Sequence, residues 1–324
     1  MKNKVLITGA CGFIGSHLTE LFVKKGFSVI AFDRYNSENN YGWLENSIYK
    51  KDIEFILGDI RDYDSVFNAM QNTKYCIHLA ALIGIPYSYI SPLAYIRTNI
   101  EGTYNILESA KNLGLDKILI TSTSEVYGSA QYTPMDESHP KVGQSPYSAS
   151  KIAADQIAIS YFRSFDQPIK IICPFNVYGP KQSERAIIPT IINQLLNNNG
   201  ELHLGNINTS RDFTYVDDTC LGFYEIYKSS DFFGEVINIG SNKTIFIKDL
   251  VEIISSKMNK KITIVIDDKR VRPKLSEVDK LLCDNNKLLL KTNWRPNIDI
   301  FKGLDLTIDW YYKNNKKLDL DYKI

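Results

Sequence analysis

Tyr147-Ser148-Ala149-Ser150-Lys151 sets a phenol and an amine four residues apart. On a helix such a pair shares one face. A free phenol, with a pKa of about 10, is a poor base at neutral pH, but a neighbouring ammonium favours the phenolate and makes it usable. By itself the pair occurs by chance on many helices, so its weight depends on its company. Upstream, Thr121-Ser122-Thr123-Ser124-Glu125-Val126-Tyr127-Gly128 offers a run of hydroxyls and one carboxylate. Thr123 and Ser124 can hydrogen-bond a substrate hydroxyl and Tyr147. Oxidation at a single carbon needs only the tyrosine, so Glu125 points to a second proton transfer. Its plain alternative is a helix cap or a surface acid.

A second cluster opens the chain. Gly9-Ala10-Cys11-Gly12-Phe13-Ile14-Gly15 follows the apolar run Val5-Leu6-Ile7 and starts a helical pattern over Phe13 to Lys25. Glycines are required where backbone turns sharply, approaches a diphosphate, or packs a helix closely on a strand. The N–H groups at the start of such a helix, with Phe13 and Ile14 in its first turn, attract phosphate. A glycine trio alone also marks a structural turn; the strand before it and the helix after it favour the phosphate cradle. The second apolar run ends at Asp33, where a carboxylate can accept from adenosine ribose hydroxyls. That acid favours NAD over NADP. Arg34 beside it can serve a 2′-phosphate or lie in solvent. Asp59 and Ile60, after the third run, are placed for the adenine edge. Leu79, Ala80 and Ala81, after the fourth, let backbone lie along a cofactor, core packing being the alternative for the alanines.

These residues need a scaffold that brings strand ends together. Apolar runs at Val5–Ile7, Phe27–Phe32, Ile53–Leu57, Tyr75–Leu79, Lys117–Thr121 and Ile169–Cys173 alternate with helical patterns. The helical patterns lie near Tyr63–Met70, Leu93–Asn112 and Tyr147–Phe165. Strands apolar on both faces and separated by helices imply an α/β fold, a doubly wound parallel (Rossmann) sheet with its site at the strands' carboxyl ends. After Pro174 turn-rich stretches (Asn176–Pro180, Asn197–Gly205) surround helices near Ile187–Asn197, Ile247–Met258 and Ile300–Tyr312. The expected division is 1–174 for cofactor, rejoined by about 212–236, and 175–324 as a smaller α/β substrate-binding lobe.

Composition narrows the partners. In 324 residues, 38 Lys and Arg face 37 Asp and Glu, a net charge of +1. No basic face suggests nucleic acid or an anionic membrane, and no apolar run reaches the ~18 residues of a span. Cys11, Cys76, Cys173, Cys220 and Cys283 are scattered without a C-x-x-C pair, which suits neither a disulfide framework nor a metal site and fits a reducing compartment. Met1-Lys2-Asn3-Lys4 leads straight into a strand with no signal-peptide pattern, so the expected location is the cytoplasm. His17, His78 and His203 fall in or near apolar patterns and read as structural; His139, in the loop before Tyr147, is the one that could line a cleft.

Taken together, the glycine loop, Y-x-x-x-K, Pro174-Phe175-Asn176-Val177-Tyr178-Gly179-Pro180, Arg211-Asp212-Phe213-Thr214-Tyr215-Val216-Asp217-Asp218 and Trp294-Arg295-Pro296 resemble the extended short-chain dehydrogenase/reductase family, its nucleotide-sugar epimerases and dehydratases. The resemblance runs from first strand to last helix. Thr123-Ser124-Glu125 is similar to the Thr-Asp-Glu or Thr-Ser-Glu of the 4,6-dehydratases, whereas the 4-epimerases usually lack the acid. Ser124 stands where the dTDP-glucose dehydratases have Asp, as in the GDP-mannose dehydratases. Tyr35-Asn36-Ser37 with Gly42-Trp43-Leu44, and Ala80-Ala81-Leu82-Ile83-Gly84-Ile85-Pro86-Tyr87-Ser88-Tyr89, are similar to dehydratases of nucleotide-linked N-acetylglucosamine in the legionaminic-acid pathway. The resemblance implies NAD as cofactor and a nucleotide sugar as substrate. It implies Asn176 on the sugar or its phosphate, Arg211 and Arg272 as clamps on the diphosphate, and Arg185 as a weaker contact. It also implies a homodimer through the Leu93–Asn112 and Tyr147–Phe165 helices. Rival readings are a UDP-glucuronate decarboxylase, which shares Thr-Ser-Glu, a 4-epimerase, and a non-catalytic NAD-binding redox sensor.

Overall fold

The computed structural model describes residues 3–197 and 200–314. Met1 and Lys2 of the expected N-terminal lead-in, Asn198 and Asn199 of the expected turn, and residues 315–324 of the expected second lobe lie outside the described residues. The first half runs β1 (Lys4–Thr8), α1 (Phe13–Lys24), β2 (Ser28–Arg34), β3 (Ile53–Gly58), α2 (Tyr63–Met70), β4 (Tyr75–His78), α3 (Ile85–Ile90), α4 (Pro92–Tyr95), α5 (Gly102–Leu113), β5 (Lys117–Thr121), α6 (Pro146–Phe165) and β6 (Ile169–Pro174). It continues through β7 (Asn176–Tyr178), α7 (Ile187–Asn197), β8 (Glu201–Leu204), β9 (Ser210–Tyr215), α8 (Val216–Lys228), β10 (Val236–Ile239), β11 (Thr244–Phe246), α9 (Ile247–Lys257), β12 (Thr263–Ile266), α10 (Asn286–Lys291) and α11 (Ile300–Asn314).

Seven strands form one sheet in the order β3-β2-β1-β4-β5-β6-β10, and every neighbouring pair is parallel. This is the doubly wound sheet that the apolar runs imply. Its strands are buried through both faces: Val5, Leu6 and Ile7 of β1 and Ile169, Ile171 and Ile172 of β6 have no exposure. From β1 the chain winds outward in both directions, so the crevice lies where β1 and β4 diverge at their carboxyl ends. The seventh strand is supplied late, after α8. A three-stranded sheet, β11-β9-β7, and a parallel pair, β12-β8, carry the smaller sheets of the second half.

One expected element is broken. The helix read over Leu93–Asn112 is α4, then a π-helical stretch over Ile96–Glu101, then α5. The widened turn lets Asn99, 1% exposed, point inward. There its amide accepts from Leu82 N (2.9 Å) and donates to Leu82 O (3.0 Å) and Ser150 Oγ (2.9 Å). Gly102, next in line, packs where a Cβ would meet Ile60 Cδ1 at 2.7 Å. The helix thus ties the β4 exit to α6.

Candidate active site

β1 delivers Gly9 at φ +68°, where side chains rarely sit. A Cβ on Gly9 would lie 2.8 Å from Ala80 N, and one on Gly15 would lie 2.0 Å from Gly9 O. The loop therefore lies flush against the β4 exit and α1 starts flush against the loop. Gly12 occupies the N-cap position of α1 without a side chain to cap it, and no acid stands in the first turn containing Phe13 and Ile14. Such a start is built for an anion. Asp33 is pinned beside it, Oδ2 accepting from Cys11 N and Oδ1 from Arg34 N, both at 2.7 Å. A cleft of about 420 Å³ opens here, lined by Gly12, Asp33, Arg34, Asn36 and Glu38 among others. Glu38 is a second carboxylate that the motif search missed, since no spacing rule marks it. Burial, and then Asp33, push the Cys11 thiol far above its ordinary range.

The next two strand ends are more fully engaged by the chain itself. Asp59 is held by Arg61, whose Nε donates to Oδ1 (2.9 Å) and Oδ2 (3.0 Å), and that hydrogen bonding lowers its pKa despite partial burial. The Ile60 side chain is buried against Gly102, and its carbonyl accepts from Asn105 Nδ2 at 2.9 Å. At the β4 exit Leu79 N donates to Thr8 O and Ala80 N to Thr8 Oγ1; Leu79, Ala80 and Ala81 are all half-buried. Thr8 Oγ1 lies 2.7 Å from His78 Nδ1, and His78 Nε2 lies 3.3 Å from Thr103 Oγ1. Thr103 gives its own proton to Asn99 O, so His78 carries hydrogen on Nε2 and accepts at Nδ1. It is a structural histidine.

α6 begins with a reciprocal Ser145–Ser148 capping box and Pro146 in its first turn, which fixes where Tyr147 points. Tyr147 is buried, and burial drives its phenol well above the ordinary range. A hydrogen bond with Thr123 acts downward, and the Glu125 charge acts upward. Lys151 donates from Nζ to Thr121 O at 2.6 Å; burial lowers its pKa, opposed by Asp155. Burial is thus the largest influence on the Tyr147 phenol. Thr123 caps the short turn Ser124–Tyr127 and accepts from Glu125 N at 3.3 Å; Ser124 is buried. The Glu125 charge acts on both Tyr147 and Arg211.

Arg211, on β9, is buried, its Nη1 donating to Ser210 O at 3.0 Å. Arg211 Nη2 and Arg272 Nη1 stand 3.4 and 3.7 Å from Glu277 Oε1, a bridging carboxylate between like charges. Arg272 Nη1 is buried without a hydrogen bond, as is Asn176 Oδ1 on β7. Arg185 is exposed and lies beside Gly84 and Tyr95, whose ring meets that of Tyr147 edge-on at 6.2 Å. His139 does not line the cleft: it is buried, accepting from Gln131 N at Nε2 and bonding Pro140 O through Nδ1. His203 is half-exposed and pairs with Glu201 at 3.0 Å instead of packing in a core, because β8 lies at the edge of a two-stranded sheet. Asn99, Asp155, Tyr95 and Glu277 were missed; only helical spacing from Lys151 could have marked Asp155.

A family profile described as GDP-mannose 4,6 dehydratase matches residues 6–307. A putative UDP-glucose 4-epimerase from Methanocaldococcus jannaschii is 31% identical over 96% of this chain and 99% of its own. A dTDP-glucose 4,6-dehydratase from Streptomyces antibioticus is 31% identical over 96% and 92%. Among solved structures, the dTDP-glucose 4,6-dehydratase of Streptomyces venezuelae with NAD and TYD bound superposes with a TM-score of 0.87 at 28% identity, covering 96% of this chain and 97% of the other. The UDP-N-acetylglucosamine 4-epimerase of Methanobrevibacter ruminantium, in complex with UDP-N-acetylmuramic acid, does so at 0.86 and 30%, covering 97% and 100%. Among the described residues no helix is long and apolar enough to cross a membrane.

Proposed function

The chain belongs to the family described as GDP-mannose 4,6-dehydratase, and from that membership we propose that it is an NAD-dependent 4,6-dehydratase of nucleotide-linked N-acetylglucosamine, the GDP sugar favoured and the UDP sugar next. The observation that carries the reading is Glu125, whose charge acts on both Tyr147 and Arg211. A cradle at Gly9 and Gly15 that a Cβ would fill, with Asp33 and Glu38 on the adenosine side, fits NAD and disfavours a 2′-phosphate. When bound, NAD accepts a hydride from sugar carbon 4 and returns it to carbon 6.

The chain's residues supply the rest. Tyr147 takes the proton of the hydroxyl on carbon 4, oriented by Thr123, while Lys151 holds the nicotinamide ribose. The ketone at carbon 4 acidifies carbon 5, from which Glu125 removes the proton as water leaves carbon 6. The proton for that water comes from Glu125 or through a water held by Ser124, and a proton returns to carbon 5. Arg211 and Arg272 clamp the diphosphate, with Asn176 on the sugar or its phosphate and Arg185 at the α3 side of the cleft. Adenine contact by Asp59 and Ile60, and the close approach at Leu79, Ala80 and Ala81, belong to the same reading, as does a cytoplasmic homodimer joined through α5 and α6.

Incubation with GDP- and UDP-N-acetylglucosamine tests it by mass spectrometry. Loss of one water supports the dehydratase; an isobaric product supports the 4-epimerase, the second reading, in which Glu125 is incidental and which the epimerases among the relatives favour. Inertness toward both, with turnover of UDP-glucuronate, would replace it by the decarboxylase.

A further inference from the structure

Three consecutive residues at the end of β5 are each joined to one of three residues spaced i, i+4 and i+8 on α6. Thr123 hydrogen-bonds Tyr147, Lys151 donates to Thr121 O at 2.6 Å, and Ser122 Oγ donates to Asp155 Oδ2 at 2.8 Å. Four-residue spacing puts Tyr147, Lys151 and Asp155 on one helix face. The first two rungs carry the chemistry of the proposed function; the third has no role in it. We propose that Asp155 is a positioning residue of the reactive pair: fixed by Ser122 and Lys141, its carboxylate keeps Lys151 an ammonium and in place behind Tyr147.

Asp155 has no exposure, and a carboxylate in that position is costly unless it is paired. Its Oδ2 takes both the Ser122 hydroxyl and the Lys141 ammonium, each at 2.8 Å. Oδ1 is buried with no partner. Lys151 is where the carboxylate charge acts, since Asp155 opposes the burial that would strip the amine of its proton. The other groups around the pair are few. Cys173, from β6, is a thiol pushed far above its ordinary range and hence neutral, and His78, from β4, is pushed down to about 3 and is neutral as well. On α6 itself, Tyr147 is the remaining titratable partner. Among the described residues, Asp155 is therefore the buried carboxylate that acts on Lys151.

The inference rests on the proposed function only for what Lys151 does, and its test is independent of turnover. The titration of the Lys151 amine is followed by NMR on lysine-labelled cofactor-free protein, assigned by Lys151→Arg, in wild type, Asp155→Asn and the double variant Lys141→Met/Asp155→Asn. We expect the midpoint to fall by about one pH unit or more in both variants, the low end of what a close opposite charge does. With NAD and whichever nucleotide sugar the wild type accepts, kcat should fall at least tenfold and its alkaline limb move to lower pH, while KM stays unchanged. If the single variant does not fold, the double variant, which removes the pair together, carries the measurement. An unchanged Lys151 midpoint in a folded variant, or full recovery of the midpoint in the double variant, would overturn the proposal and leave Asp155 a structural ion pair. Failure of the wild type to turn over any sugar would fault the proposed function and leave the titration result standing.

Discussion

Gly15→Ala turns the geometry of the cradle into a number. A Cβ at Gly15 would lie 2.0 Å from Gly9 O, 2.8 Å from Gly9 C and 2.9 Å from Ala10 Cα. Ordinary contact begins near 3.4 Å, so about 1.4 Å of separation has to be found between α1 and the loop. All three obstacles are backbone, so no flexible side chain can swing aside. The loop is also held from behind, Gly12 N donating to Gly9 O at 3.2 Å and Ala10 N to Phe32 O at 3.4 Å. Losing one backbone hydrogen bond to a charged phosphate, worth about 1.5–3 kcal/mol, corresponds to a fall in NAD affinity of about ten- to a hundredfold, which is the loss we expect. Overpacking of this kind lowers stability by roughly 1–3 kcal/mol. Titration calorimetry with NAD and a thermal melt read the two effects. Gly26→Ala is the control: its φ of +88° strains a side chain, but nothing lies within 4 Å, so it should lower stability and leave NAD affinity unchanged. If Gly15→Ala bound NAD within about threefold of wild type, a difference under ~0.7 kcal/mol, the close-approach reasoning would be wrong.

Glu125→Gln should still reduce NAD on adding sugar but release product about 10²–10⁴-fold more slowly, seen by stopped-flow absorbance and product mass; near-normal product formation removes Glu125 as the base. Arg211→Ala takes away a buried guanidinium beside Glu277 and should raise KM for the nucleotide sugar about ten- to a hundredfold with NAD affinity intact, a prediction refuted by an unchanged KM. His78, pushed down to about 3 by burial and then by the Lys151 charge, stays neutral in the fold while the unfolded chain takes up its proton near pH 6.5. Its contribution is therefore present above that pH and lost below it, by about 2 kcal/mol between pH 7.5 and 5. Denaturant unfolding at the two pH values should show this difference in wild type and lose it in His78→Gln.

The parallel sheet was legible because its strands are apolar on both faces and separated by helices, a pattern that local sequence carries whole. The seventh strand was not, since Val236–Ile239 looks like any short apolar run and its neighbour β6 stands far away in sequence. The π-helical stretch escaped for a different reason. Residues 96–101 have the periodicity of an ordinary helix, and what widens the turn is tertiary: Asn99 reaching for Leu82 and Ser150. At the site, the glycine loop and Y-x-x-x-K could be read because backbone geometry and helix spacing fix them. Glu277 could not. It acquires meaning only when a loop more than sixty residues downstream of Arg211 folds back between two arginines.

The electrostatics give the site an order of events. In the cofactor-free chain, burial pushes the Tyr147 phenol up and the Lys151 amine down, both toward neutrality, and Glu125 adds to the first effect. A neutral phenol is a poor base, and burial holds Tyr147 in that form. Thr123 pulls the other way, yet its hydrogen bond is outweighed by burial. A cation beside the phenol is the missing contribution, and an oxidised nicotinamide carries one. Phenolate and ammonium then favour each other, and Asp155 sits where it supports the second. The Glu125 charge also acts on Arg211, where it favours the guanidinium against burial. On the proposed function, oxidation at carbon 4 precedes elimination because only the ketone acidifies carbon 5.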